Sequence, residues 1–268
     1  MKIFRTIEGW RAFRESIGET RSLGVVPTLG GLHEGHFALM QRSLDENDLT
    51  VASIFLNRVQ FNKPEDCAKY PAVFEDDVAA LEAMGVDAVF APEFGDMYSD
   101  DYRYRVSENS LSNEMEGAHR PGHFDGVLTV VLKLFNIVAP HRAYFGEKDY
   151  QQLQLVKGMV RALFLPIEVI ACPTIRASDG LALSSRNRRL SPEARALAAE
   201  FPRILKSATT VQDAEILLSQ AGFEVEYVEE NDGRRLGAVV VEEVRLIDNM
   251  DISEIEVGQK RELEAMND

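Results

Sequence analysis

The chain predicts an α/β fold, a mostly parallel sheet covered by helices, followed by a smaller α+β piece. Three observations carry this reading. Short apolar runs such as "LGVVPT" and "LTVASIFL" lack polar alternation, as strands covered on both faces do. Segments with apolar residues every third or fourth position lie between them, the interval of βαβ units. Between Ala177 and Asn187 that alternation stops, and a helix pair followed by strands takes over.

In chain order, "WRAFRESI" reads as a helix and "LGVVPT" as a strand ending at glycines. "HEGHFALMQRSLDE" has helical spacing at Phe37, Met40 and Leu44, and "LTVASIFL" is a buried strand. "PAVFEDDVAALEAMG" is helical along Val78, Leu81 and Met84, and "VDAVFAP" is a strand. After an irregular section come the apolar helix "FDGVLTVVLKLFNIV", the short strand "RAYF", the helix "KDYQQLQLVKGMVRAL" and the strand "IEVIACP". In the second part, "SPEARALAAEFPRILKSA" is a helix with Ser191 as N-cap and Pro192 in its first turn. "VQDAEILLSQAG" is the next helix. "FEVEYVEE" and "LGAVVVEEVRLIDN" are strands around the turn "NDGRR".

With 268 residues, 45% of them hydrophobic, the chain can bury a full core without staples. Its formal charge is −15, which argues against a nucleic-acid surface and equally against an anionic membrane. From Glu224 onward 14 acidic and 5 basic residues leave −9, so the rest is only mildly acidic. Cys67 and Cys172 show neither metal-ligand spacing nor a disulfide pattern, and the N-terminus has no apolar leader. The most apolar run is interrupted by Lys133 and is too short to span a bilayer. A cytoplasmic protein with reduced thiols is expected.

The densest chemistry lies in "VPTLGGLHEGHFALM", where a glycine turn leads from a buried strand into a helix. Such a turn falls at the carboxyl end of a parallel sheet, where open α/β sheets bind ligands. Helix N-termini attract phosphate, Gly30 and Gly31 permit close backbone approach, and Gly35 leaves room for a base or ribose. His33 and His36 then face a bound nucleotide. The alternative is that one histidine caps the helix and the other packs in the core. A zinc site lacks further ligands at matching spacing. Four more polar patches follow strands or precede helices: Asn57 and Gln60; His119, Arg120 and His123; Lys148 and Asp149 with Gln151 and Gln152; and Ser184, Ser185 and Arg186. Each patch alone fits surface salt pairs and loop caps. Together they have the distribution of a phosphate-handling site.

Several of these stretches resemble the pantoate–β-alanine ligase family. "PTLGGLHEGH", "SIFLNRVQF", "RPGHFDGVLTVVLKLFNIVAP", "FGEKDYQQ", "DGLALSSRN" and "RLIDN" stand in family order from Val26 to Asn249. The resemblance implies a Rossmann-like ATP- and pantoate-binding domain over residues 1–176 and a smaller C-terminal lid domain over 177–268. It implies condensation of pantoate with β-alanine through a pantoyl-adenylate, with ATP as substrate, Mg2+ as companion ion and a homodimeric assembly. By the same resemblance His33, His36, Lys148 and Arg186 are the catalytic set. Leu29, Gly146, Asp149, Leu183, Ser184 and Ser185 complete the ATP site. Gln60, Gln152 and Asn57 hold pantoate, Arg120 and His123 form a loop near phosphate and pantoate, and Asp76 is the magnesium carboxylate.

Departures from the family pattern are Leu29 for methionine, Gly31 for alanine, Arg58 for proline, His141 for aspartate and Leu183 for methionine. None removes a charged catalytic group. Competing readings are a nucleotidyltransferase that ignores β-alanine, a non-catalytic nucleotide binder, and a tRNA-binding relative, the last opposed by the charge.

Overall fold

Strand periodicity builds the first half of the molecule. The structure, a computed structural model, describes residues 1–255 apart from Glu19, Ala72 and Glu254. The chain divides after Pro173 into two compact units. The tail 256–268 of the expected second domain lies outside the described residues.

The first unit runs β1 (Lys2–Phe4), α1 (Ile7–Ser16), β2 (Leu23–Thr28), α2 (Glu34–Glu46), β3 (Leu49–Ile54), α3 (Pro64–Ala68), α4 (Phe74–Ala83) and β4 (Ala88–Phe90). It continues through α5 (Phe94–Met97), α6 (Met115–His119), α7 (His123–Val138), β5 (Arg142–Gly146), α8 (Tyr150–Ala162) and β6 (Glu168–Cys172). The six strands form one parallel sheet in the order β1-β4-β3-β2-β5-β6. The chain works outward from β2 to β4, then returns to place β5 on the other side of β2. The β2–β5 junction is therefore the point where strand order reverses, the place where such sheets bind ligands.

Successive strand residues face opposite layers. Val25, Val51 and Phe90 pack with Trp10 of α1 and with the apolar faces of α7 and α8. Val26, Ala52 and Val89 pack with Leu39 and Met40 of α2 and Leu81 of α4. Burial on both faces explains the unbroken apolar runs of the sequence. The one strand that the sequence reading missed, β1, has three residues, too few for any periodicity.

Helix α7 is buried along most of its length, yet it carries three polar handles. The Gly126 carbonyl accepts from Asn57 Nδ2 at 3.1 Å, Thr129 Oγ1 accepts from Val106 N–H at 2.9 Å, and Lys133 Nζ donates to Met97 O at 2.8 Å. Their spacing of three and four residues puts them on one stripe of the helix. Through this stripe α7 fastens the loops that follow β3 and β4.

The second unit holds α9 (Pro192–Ala198), α10 (Glu200–Ser207) and α11 (Val211–Ala221) with β7 (Glu224–Asn231), β8 (Arg234–Val241) and β9 (Val244–Asp251). The strands form an antiparallel sheet in sequence order. Ser191 caps α9 as expected, its Oγ accepting from Ala194 N–H at 3.1 Å. The single helix expected after it is two, joined at Ala199. Pro202 has no N–H to continue the ladder but fits the first turn of a new helix. Asp232 and Gly233 take positive φ in the first hairpin, which suits a tight two-residue turn. "LGAVVVEEVRLIDN" bends at Glu242 (φ 54°) into two strands. Arg235 is buried and donates to the carbonyls of Leu205 and Ala208 at the end of α10.

Gly126 gives a direct test of the packing. A Cβ there would lie 2.8 Å from Gln60 Cα and 2.9 Å from Val59 O. Replacing a helical glycine by alanine ordinarily stabilises by ~1 kcal/mol. Here the clash is with backbone, so Gly126→Ala is expected to destabilise by about 1–3 kcal/mol. Urea unfolding followed by circular dichroism measures the sign.

Candidate active site

At the end of β2 the chain turns through Gly30 (φ 86°) and Gly31 (φ 67°), conformations that side chains rarely adopt. The turn is held from below by Asp77 of α4, which is buried. One carboxylate oxygen accepts from Gly31 N–H and the other from Leu32 N–H, both at 2.8 Å. Gly30 N–H goes to Thr28 Oγ1 at 3.2 Å. These amides are spent inside the protein, so the turn presents side chains rather than the backbone cradle expected from its glycines.

The capping reading of the histidine pair holds for His33. His33 is the N-cap of α2, and its Nδ1 accepts from Gly35 N–H at 3.1 Å. That bond leaves the ring proton on Nε2. Gly35 is small for the sake of this ring: a Cβ would stand 2.8 Å from His33 Cε1, so the room expected for a base is taken by the imidazole. His36 lies against His33, ring centroids 4.1 Å apart. Its Nδ1 is buried without a hydrogen-bond partner. Burial, with the nearby charges of His33 and Lys148, lowers the His36 pKa to about 3. His36 is therefore an uncharged imidazole at neutral pH.

Lys148 arrives on the other side of the strand reversal, in the short turn Glu147–Asp149 after β5. Its Nζ is 3.7 Å from Asp149 Oδ1. Gly146, just before it, has open space where a Cβ would be. Leu29 is half-buried at the start of the glycine turn.

A second group of side chains surrounds the turn after β3. Asn57 is fully buried, and its amide donates to Gly126 O at 3.1 Å and Gln60 Oε1 at 2.9 Å. Its Oδ1 accepts from the Tyr98 hydroxyl at 2.8 Å. Asn57 thus orients Gln60 instead of offering itself to a ligand. His123 Nδ1 donates to Gln60 O at 2.8 Å, and Arg120 donates to the same oxygen at 3.3 Å. Arg120 also pairs with Glu116 at 2.9 Å and meets His123 Nε2 at 3.1 Å. Arg120 and His123 therefore brace the Gln60 backbone. Burial, then the charge of Arg120, lowers the His123 pKa to about 4 against the opposing pull of Glu116 and Asp149.

Of the two glutamines after Asp149, Gln151 is buried and donates to Leu111 O at 2.7 Å and Glu114 O at 2.9 Å, while Gln152 is half-buried in the first turn of α8. Arg58 is exposed and lies over the Phe94 ring at 5.4 Å. His141 is structural, accepting from Leu23 N–H at 2.9 Å between neighbouring strands.

In the second unit, Leu183 N–H donates to Ile175 O at 2.9 Å, and Ser184 caps the short helix Ser185–Arg189 through Arg186 N–H at 3.2 Å. Ser185 is buried, and Ser184 and Arg186 are half-buried. Asp76 is exposed on α4, while its neighbour Asp77 points inward. Among the described residues no group of three or more His, Cys, Asp or Glu could hold a metal ion. Sequence reasoning passed over Asp77, Tyr98 and Glu116. The only hint of Asp77 was an acidic residue on the apolar stripe of its helix, four before Leu81.

Imidazoles and a lysine stand at the strand reversal of a parallel sheet, the place where α/β enzymes of this class hold their ligands. The comparisons with known proteins agree. The family model for pantoate-beta-alanine ligase matches residues 2–251, and the chain belongs to that family. It is 49% identical over 249 residues to pantothenate synthetase of Legionella pneumophila, covering 93% of this chain and 99% of the relative. The pantothenate synthetase of Bdellovibrio bacteriovorus is 49% identical over 251 residues, 94% of this chain and 99% of the relative. A crystal structure of the Francisella tularensis pantoate-beta-alanine ligase, complexed with beta-gamma ATP and beta-alanine, superposes with a TM-score of 0.91 at 37% identity, covering 94% of this chain and 98% of that one. Pantothenate synthetase of Thermus thermophilus superposes with a TM-score of 0.87 at 42% identity, covering 94% of this chain and 99% of that one.

The two buried histidines make stability depend on pH. Their folded pKa values, about 3 for His36 and about 4 for His123, lie below that of an unfolded histidine, ~6.5. As pH falls below that unfolded value the unfolded chain binds protons that the folded chain refuses, so stability is lost on acidification. Each histidine contributes a slope of about 1.4 kcal/mol per pH unit well below its unfolded pKa. Urea unfolding between about pH 7 and 4.5 is expected to show this loss, reduced by about half in His123→Gln.

Proposed function

We propose that the chain condenses pantoate with β-alanine, using ATP, through a pantoyl-adenylate, and releases pyrophosphate and AMP. The observation that carries this reading is the convergence, at the β2–β5 reversal, of His33 and His36, ring centroids 4.1 Å apart, with Lys148, whose charge acts on His36. In the first half-reaction a pantoate carboxylate oxygen bonds to the α-phosphorus, and the bond to the pyrophosphate oxygen breaks. In the second, the amine nitrogen of β-alanine bonds to the acyl carbon, the bond to AMP breaks, and the surplus amine proton leaves to solvent. Negative charge grows on the phosphate oxygens in the first step. Lys148 supplies compensating charge, and His33 and the uncharged His36 supply fixed hydrogen bonds, groups that need no reorganisation during the reaction. No enzyme nucleophile is required, because holding acid and ATP in line supplies much of the rate.

In this reading the first unit binds ATP and pantoate. Gln60 and Gln152 hold the acid, and Leu29, Gly146 and Asp149 line the nucleotide. The second unit acts as a lid whose loop Leu183, Ser184, Ser185 and Arg186 serves the triphosphate. Magnesium enters as the ion that ATP phosphates carry, with most of its ligands from phosphate and water. In this reading Asp76, exposed on α4, supplies a protein carboxylate to it. The protein works as a homodimer in the cytoplasm without a nucleic-acid partner. No described helix is long and apolar enough to cross a membrane.

Isotope exchange between pyrophosphate and ATP, with and without pantoate, followed by AMP release on adding β-alanine, separates the half-reactions. Pantoate-dependent exchange and β-alanine-dependent pantothenate are expected. His36→Ala and Lys148→Ala are each expected to slow exchange by about 10²–10³-fold, the usual loss for one preorganised contact. Exchange that ignores pantoate, or normal rates in both variants, would contradict the reading.

A further inference from the structure

Tyr98 lies outside every patch the sequence singled out, yet the polarity of the acid site depends on it. The chain of contacts starts at α7. The Gly126 carbonyl can only accept, so the Asn57 atom facing it at 3.1 Å is the amide nitrogen. The Asn57 carbonyl oxygen then faces Tyr98 at 2.8 Å, where the phenol must donate. The remaining Asn57 amide hydrogen goes to Gln60 Oε1 at 2.9 Å. With its oxygen held inward, Gln60 turns its NH2 outward and offers donors only. A carboxylate or hydroxyl oxygen is welcome there, and a donor group is not.

We infer that Tyr98 is a positioning residue for the acid substrate, locking the Gln60 amide as a hydrogen-bond donor through Asn57. This rests on the reading of Gln60 as an acid-binding residue given above. Tyr98 is suited to the task. It is 2% exposed and surrounded by the rings of Phe55, Phe94 and Tyr102 at 6.2, 4.9 and 5.5 Å. Lys133 Nζ lies 4.5 Å from its ring centre and donates to Met97 O at 2.8 Å and Asp100 Oδ1 at 2.9 Å. Gly126 and Lys133 sit two turns apart on one helix, so α7 holds both ends of the relay. Without the phenol, Asn57 Oδ1 is buried and unpaired, so the orientation that the Gly126 carbonyl selects loses a bond and holds Gln60 less firmly.

The test is Tyr98→Phe in the full chain, which removes one oxygen and keeps the ring packing. In pantoate-dependent pyrophosphate exchange, the KM for pantoate is expected to rise about 3- to 10-fold, the worth of one hydrogen bond. The KM for ATP and kcat should change less than about 2-fold. Because Tyr98 acts through Gln60, Tyr98→Phe placed in a Gln60→Ala background should raise the pantoate KM no further. An unchanged pantoate KM, a loss shared equally by ATP and kcat, or an additive loss in the double variant would each overturn the inference. A wild-type protein that shows no pantoate dependence would instead overturn the functional reading on which it rests.

Discussion

Each oxygen of the Asp77 carboxylate takes one backbone N–H of the turn above it, and the placing of His33 and His36 depends on that grip. Gly30 and Gly31 allow the turn, but permissive residues also leave it loose. A buried carboxylate with both oxygens satisfied converts the loose turn into one defined path. His33 can then cap α2, and His36 can follow one turn later with its ring against its neighbour. The constraint also decides what the turn offers. Its amides face inward to Asp77, so chemistry toward a ligand falls to imidazole and lysine side chains.

The turn after β3 follows the same logic with different groups. Backbone and side chain of Gln60 are each tied separately, the backbone by His123 and Arg120, the amide by Asn57. Most of the polar residues in the family motif "RPGHF" are thereby structural braces within bonding distance of one another. Keeping His36 and His123 uncharged serves this arrangement. A protonated His123 could not accept from Arg120, and a protonated His36 would be repelled by Lys148.

Much of the fold was legible in the sequence because both faces of the sheet are buried. That condition writes itself as unbroken apolar runs, and among the described residues each strand from β2 to β9 overlaps a segment read as a strand. The strand that escaped, Lys2–Phe4, is three residues long. The helix read through Ala199 is two helices because Pro202 restarts the ladder. Site residues were legible where they sit in motifs, and their roles were not. The sequence shows Asn57 beside Gln60 but not that Tyr98, 41 positions on, consumes its oxygen. Asp77 was hidden behind Glu75 and Asp76, which precede it and face solvent. Long-range hydrogen bonds leave no periodic trace, so which member of such a run turns inward is decided only by packing.

Above all, His36 and His123 are imidazoles kept uncharged at neutral pH by burial. The nitrogen chemical shifts of the imidazoles in 15N-histidine-labelled protein, followed from about pH 7.5 to 5, test this most directly, because an unperturbed histidine titrates inside that range. Neutral rings are expected for His36 and His123 throughout, with the His123 proton on Nδ1, and the His33 proton is expected on Nε2 at the upper end. Titration of His36 to an imidazolium with a midpoint above about pH 6, near the ordinary histidine value, would contradict it.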